Sequence, residues 1–406
     1  MKKFFLKQFK LLLIATTGLM LSSVSVIAAD NIKVGAIFDL SGGLNIYGIQ
    51  QSRALHLAVD NINNNGGVNG KKIKVIEYDS QSSLSKYTQF TNTLIRKDRI
   101  VALFAGLTSS SREAIRPIIR KAKIPYFYSS LYEGGACDKY TFVTGASASQ
   151  EMKPLIKWAV KKYGKRIFIM GPDYNFGTIS GHWIKKYAKD FGAEVVGEDY
   201  LPLTASNFSP TIQKIQESKP SFVVALAVGS NQISFYEQFS AAGLKGKIGL
   251  VSTNYGSGNQ QVVVSPQAGD GIVTSQNYFD VIDEPANKIF KAAWIKKYGY
   301  KEPITSGAVD VWLSVNLWAK AAQKAKSSSP KSVVSALESG LTFEGPNGLV
   351  KMLPRSHHLQ QNIYLAEGNN KHQFKVIATF KSVTPDFEEQ VCNLIKHPKT
   401  AKLFVP

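Results

Sequence analysis

The stretch NIKVGAIFDLSGGLNIYGIQQSRALHLAVDNINNNGG, residues 31–67, decides the fold. Asn31–Leu40 reads as a strand that ends in a Gly-rich turn, Ser41–Gly43. A helix follows from Gly48 to about Asn64, with Ala54, Leu55, Leu57, Ala58 and Ile62 at helical spacing. The Asn63–Gly67 cluster stops it, because glycine enters the left-handed cap conformation without penalty.

The same unit recurs outward along the chain. Lys72–Tyr78, Ile100–Ala105 and Ile124–Tyr128 read as strands, separated by helices over Tyr87–Lys97 and Ser111–Lys121. The rhythm then resumes with strands at Arg166–Met170, Glu194–Tyr200, Phe222–Ala227 and Gly249–Ser252. Helices at Thr178–Phe191, Phe208–Glu217 and Ser230–Ala242 alternate with them. Two later helices cover Asn287–Tyr298 and Val309–Ala325. Strands alternating with helices mean parallel sheets covered on both faces, and an apolar run such as Val223–Ala227 suits a strand buried on both sides. The expected fold class is α/β, with two doubly wound parallel-sheet lobes. Residues 30–142 and 273–335 are assigned to the first lobe, and 143–272 with 336–406, including a C-terminal tail, to the second. Thr141–Ala148 and Gly271–Tyr278 are the hinge candidates.

Lys2, Lys3, Lys7 and Lys10 precede an apolar run from Leu11 to Ile27 and the small residues Ala28 and Ala29. That is the pattern of a cleaved secretory signal over 1–29. The run is broken by Thr16, Thr17, Ser22, Ser23 and Ser25, which disfavours a membrane anchor. The chain carries a formal +20, and the four signal lysines leave +16 beyond residue 29. These charges are scattered over helical faces such as Lys185–Lys186–Lys189, without a base-recognition motif, so no nucleic-acid partner is expected. A solvated basic surface could still meet anionic headgroups or a docking protein. Cys137 and Cys392 are the only cysteines. In an exported protein an even count suggests one bridge, though spacing does not show that the pair can meet.

Catalytic and cofactor motifs are missing. No G-x-S-x-G elbow occurs, and Gly66–Lys72 has the wrong spacing for a phosphate loop. No dinucleotide fingerprint follows the first strand. His357 and His358 are adjacent, and in a strand they would point to opposite faces, unlike convergent metal ligands. No enzyme activity, cofactor or metal is expected. An exported hydrolase stays as a weaker alternative, since paired carboxylates in a cleft leave no spacing signature.

Doubly wound sheets bind ligands at the carboxyl ends of their strands. Those ends carry Ser41–Gly48, Leu107–Ser111, Ser129–Gly135, Gly171–Gly177, Val228–Ser230 and Thr253–Tyr255. They share hydroxyls, glycine backbone and aromatic rings. Ser109 and Ser111 also fit helix caps, and a helix start there would offer free N–H groups to an acceptor.

Together, Leu40–Gly42 with Tyr47–Gly48, Ile62–Gly70, Thr108–Arg112, Tyr132–Gly134, Gly243–Leu244, Asp283–Asn287 and Leu317–Ala319 resemble the periplasmic solute-binding proteins of the branched-chain amino acid, short-chain amide and urea group. The resemblance covers nearly all of the chain after the signal. It implies the type I periplasmic-binding-protein fold with a multi-strand hinge, a periplasmic monomer, a small-molecule ligand and the membrane permease subunits of an ATP-driven importer as partners. It implies first-lobe contacts from Tyr47, Ser109, Ser130 and Tyr132 and second-lobe contacts from Tyr174, Phe176 and Gly229. The strand-end loops add Leu107, Ser110, Asp173, Thr253 and Tyr255 as further ligand-binding candidates. Where amino acid binders place an acid for the ligand's ammonium, this chain is read as placing Tyr255. Asp173 is a substitute. A small neutral ligand, urea or a short amide, is therefore expected first and a branched-chain or other amino acid second. A cytoplasmic amide sensor of the same fold is opposed by the signal sequence.

Overall fold

The computed structural model describes residues 31–406. The signal-peptide assignment over 1–29 lies outside them.

The first sheet uses β1 (Ile32–Phe38), β2 (Ile73–Asp79), β3 (Leu103–Ala105), β4 (Tyr126–Tyr128) and, after the short β5 (Ala136–Asp138), β6 (Thr141–Val143). Its order is β2-β1-β3-β4-β6, parallel throughout. Helices α1 (Asn45–Asn64), α2 (Leu84–Thr93) and α3 (Ser109–Ala122) make the crossovers. α1 starts three residues before the sequence expectation, inside the turn that follows β1.

The second sheet starts after α4 (Ala148–Tyr163). It contains β7 (Arg166–Pro172), β8 (Glu194–Leu201), β9 (Phe222–Ala225), β10 (Gly249–Ser252) and β11 (Val273–Gln276). Between them lie α5 (Asn175–Asp190), α6 (Ser209–Ser218), α7 (Asn231–Ala241) and the single turns α8 (Gln260–Val263) and α9 (Pro266–Gly269). Next come α10 (Pro285–Tyr298), α11 (Ser306–Lys324), α12 (Pro330–Leu337), β12 (Thr342–Gly345), β13 (Gly348–Met352), β14 (Leu359–Gly368), β15 (Phe374–Val383), α13 (Asp386–Val391) and β16 (Ala401–Leu403). β8-β7-β9-β10-β11 is parallel, and β14 joins it antiparallel beside β11.

Two lobe boundaries move. β11 pairs with β10 and β14, so the chain leaves the second lobe after Gln276 and not at residue 273. Val350 and Met352 of β13 are buried in one apolar cluster with Val333, Leu337 and Trp318, so the β12–β13 hairpin packs with the first lobe. Burial, more than strand pairing, assigns it there.

Three segments cross between the lobes: Thr144–Ala146, the chain after Gln276, and β14. The first two fall inside the hinge candidates, and β14 was not foreseen. Their polar side chains meet in one buried network. Asn277 donates to Asp310 Oδ1 at 2.6 Å and to Gln361 Oε1 at 2.9 Å. Thr144 donates its hydroxyl to the Asp310 carbonyl at 2.9 Å. Burial raises the Asp310 carboxyl well above its ordinary range. The Glu151 carboxyl beside it is raised by burial first and by Asp310 second.

The tail returns to the first lobe. β16 pairs antiparallel with β5, and Cys392 is bonded to Cys137, with Cα atoms 5.6 Å apart. Buried Glu388 accepts from Gly135 N at 3.0 Å, Ser147 Oγ at 3.1 Å and Ser149 Oγ at 2.9 Å. Gly135 has φ +80°, and a Cβ there would lie 1.9 Å from the Phe404 carbonyl, so only glycine lets the tail strand approach. Arginines at helical spacing on α3 brace the same segment. Arg116 donates to the Cys137 and Lys402 carbonyls at 3.1 and 2.9 Å, and Arg120 to Asp138 at 3.1 Å.

Candidate functional site

The loops after the strands of both sheets face each other across a cleft. Its pocket is lined from the first lobe by Tyr47 and Gln51 of α1, by Leu107, Thr108 and Ser109 around the start of α3, by Ser130 and Leu131 after β4, and by Ser306 and Gly307 of α11. The second lobe supplies Tyr174, Phe176, Val228, Asn254 and Ser257. No charged side chain lines it. The space is about 550 Å³ counting its open mouth, which suits a small solute.

The lobes touch over this pocket. Tyr47 Oη accepts from Gly229 N at 2.9 Å and from Gln260 Nε2 at 3.1 Å. Burial pushes the Tyr47 phenol up to about 12, so it stays protonated. Gly229 has φ +91°, and a Cβ there would lie 3.5 Å from the Gly43 carbonyl. The positive φ calls for glycine, while a Cβ would sit at ordinary contact distance from the first lobe.

Behind the pocket wall lies a buried ion pair. Arg112 Nη2 donates to Glu133 Oε1 at 2.6 Å, and both side chains are buried. The guanidinium lies over Tyr132 and Tyr128, 4.6 and 5.1 Å from the ring centres. Burial alone would lower the Arg112 pKa, but Glu133 and Glu113 outweigh it and hold the group charged. Ser109 donates its hydroxyl to Glu133 Oε2. Thr108 caps α3 by accepting from Ser111 N at 3.1 Å, and the Ser109 and Ser110 amides ahead of it have no partner within the helix. From the second lobe, Trp183 Nε1 donates to the Glu133 carbonyl at 2.7 Å.

Of the residues expected from sequence, Tyr47, Leu107, Ser109, Ser130, Tyr174 and Phe176 are brought together in the pocket. Ser110 and Asp173 line an adjoining cavity with Asp39, Ser82 and Tyr87. Gly229 contacts Tyr47 through its backbone. Three placements differ. Tyr132 lies beneath Arg112 with its hydroxyl against His358. Thr253 is buried without a partner for Oγ1. Tyr255 packs edge-on against Tyr236 and Phe374 in the second-lobe core, at 5.1 and 5.7 Å between centres. Its neighbours Asn254 and Ser257 face the pocket instead. Gln51 was missed although it sits one helical turn after Tyr47, a spacing that puts both on one face. Ser306 and Gly307 were missed because no strand precedes their helix. Among the described residues no group of His, Cys, Asp or Glu is arranged to hold a metal ion, and no helix is long and apolar enough to cross a membrane.

Comparison with known proteins agrees with this architecture. The periplasmic binding protein family profile matches residues 31–373. Leu/Ile/Val-binding protein homolog 6 of Brucella melitensis is 25% identical over 365 residues, covering 87% of this chain and 92% of that protein. Leu/Ile/Val-binding protein homolog 8 of Brucella suis is 26% identical over 348 residues, covering 81% and 85%. A solute binding protein of an ABC transporter from Rhodopseudomonas palustris HaA2, solved with p-hydroxybenzoic acid, superposes with a TM-score of 0.78 at 25% identity, covering 87% of this chain and 98% of that one. A leucine binding protein from Thermotoga maritima gives 0.78 at 15% identity, covering 88% and 99%, a likeness of fold alone. The chain belongs to the periplasmic binding protein family, whose members bind solutes and are not enzymes.

Proposed function

We propose that the chain is the exported solute-binding component of an ABC importer and carries a small polar solute to membrane permease subunits. The observation that carries this reading is the pocket at the strand ends of both sheets, closed over by the Tyr47–Gly229 contact between lobes. A ligand that touches both lobes stabilises the closed form by its differential affinity. Ser109, Ser130, Tyr174 and Phe176 are the proposed contacts.

An amino acid takes first place as ligand, ahead of the urea or amide favoured on sequence. The curated relatives are named for Leu/Ile/Val binding, and a solved relative holds an aromatic acid. The start of α3 faces the pocket, and free amides at a helix N-terminus suit a carboxylate. A neutral amide is the second reading, supported by the lack of a charged lining residue. Native mass spectrometry of gently purified protein tests both, followed by a thermal-shift panel of amino acids, aromatic acids, urea and amides. A retained or stabilising small solute is the expected result. Its complete absence from both measurements would overturn the proposal.

A further inference from the structure

We infer that Gln51, Ser109 and Ser257 form a hydrogen-bond-accepting face in the pocket that selects ligands carrying a hydrogen-bond donor, such as an ammonium or a primary amide, over acids that carry none. This rests on the solute-binding reading above and narrows its ligand class.

A side-chain amide has two N–H donors on one end and lone pairs on the other, and a hydroxyl has one proton. Gln51 Nε2 donates to the Ser129 carbonyl at 2.9 Å. That contact fixes the orientation of the amide, because a flipped group would set two oxygens against each other. Gln51 Oε1 then faces no partner in the protein, although the residue is only 1% exposed. Adjacent Gln50 is different. Its Oε1 accepts from Thr305 N at 2.9 Å and its Nε2 donates to Glu302 and the Pro303 carbonyl, each at 3.0 Å. Of these two neighbours, only the one that lines the pocket keeps an open acceptor.

The two hydroxyls point the same way. Ser109 has spent its proton on Glu133, whose carboxylate is paired with Arg112 and can only accept. Ser257 has spent its proton on the Asn254 carbonyl at 2.7 Å. Three oxygens therefore meet the pocket with lone pairs and no proton to give. The amides at the start of α3 are donors, so the pocket has an accepting side and a donating side. A carboxylate with no N–H or O–H of its own satisfies only the donors and leaves Gln51 Oε1 desolvated and unpaired. A buried acceptor left without a partner loses its full hydration. With no carboxylate in the lining, the discrimination works through hydrogen bonds to neutral oxygens and not through a counter-charge.

Calorimetry on the full chain tests this with four probes: L-leucine, its deaminated analogue 4-methylpentanoate, benzoate and acetamide. Leucine, acetamide or both should bind, with 4-methylpentanoate and benzoate at least about tenfold weaker than the better of them. Leucine alone would identify the ammonium, and acetamide alone the amide. Gln51→Met should shrink the gap to within about threefold. Gln51→Glu, which keeps the shape and adds charge, should tighten leucine relative to acetamide. Equal or tighter binding of either nitrogen-free acid to the unaltered protein overturns the inference and leaves the solute-binding reading standing. A gap unchanged in both variants does the same. Loss of the solute-binding reading has a separate signature, no retained or stabilising solute at all, and takes the inference with it.

Discussion

The Tyr47 hydroxyl accepts the Gly229 amide across the cleft at 2.9 Å, so one phenol oxygen on α1 ties the two lobes directly over the pocket. Tyr47→Phe removes that acceptor and leaves a buried N–H unpaired, a cost of about 1–3 kcal/mol in the closed form only. Ligand affinity should fall about 5–150-fold, while the melting temperature without ligand changes little if the lobes open freely. Calorimetry of the variant beside small-angle scattering of the open form reads both effects.

Arg112 and Glu133 are buried together, and removing one partner strands the other charge. Arg112→Met should destabilise by about 3–5 kcal/mol, as breaking a buried ion pair does. Arg112→Met with Glu133→Gln should recover a good part of that. Urea unfolding of the three proteins gives the comparison. Equal losses in the single and double variants would show that packing against Tyr128 and Tyr132 carries the stability instead.

The bond between Cys137 and Cys392 fastens the tail over Arg116 and the Gly135 approach. The Cys137→Ser/Cys392→Ser protein should lose about 2–5 kcal/mol and be cut by protease between residues 384 and 406 before the lobes are attacked. Mass spectrometry of the first fragments checks the order. Early cleavage elsewhere would mean that β16 holds by pairing alone.

Asp310 in the hinge network and Glu151, whose charge it feels, are both buried, and burial raises both carboxyls. The folded protein keeps protons that the unfolded chain releases above about 4.3 for Glu. Their contribution to stability is therefore complete below that value and declines as pH rises toward the folded-state pKa. Glu151→Gln should flatten the fall in melting temperature between pH 5 and pH 9. Parallel pH profiles for the two proteins would place the proton elsewhere.

The β–α rhythm made the two parallel sheets legible, because strands buried on both faces are continuous apolar runs such as Val223–Ala225 and their helices are amphipathic. β14 and the tail were not legible. β14 is antiparallel and shared between lobes, and the place of the tail depends on one glycine approach and one bridge distant in sequence. The pocket was half legible for a related reason. Reading strand ends finds the loops but not the direction of each side chain, so Tyr132 and Tyr255 were taken as facing the cleft when both rings are buried in packing. Gln51 lies outside any strand end, and its chemistry emerged only from the contact that orients its amide.

The tail also bears on how the cleft moves. Three crossing segments alone would let the lobes rotate about the hinge axis and twist against each other. Glu388 sits beside the first crossing, on Ser147 and Ser149, while the following residues are bonded and strand-paired to the opposite lobe. That fourth attachment works like a second pin along one edge of a door. A twist of one lobe against the other would strain this attachment as well as the three crossings.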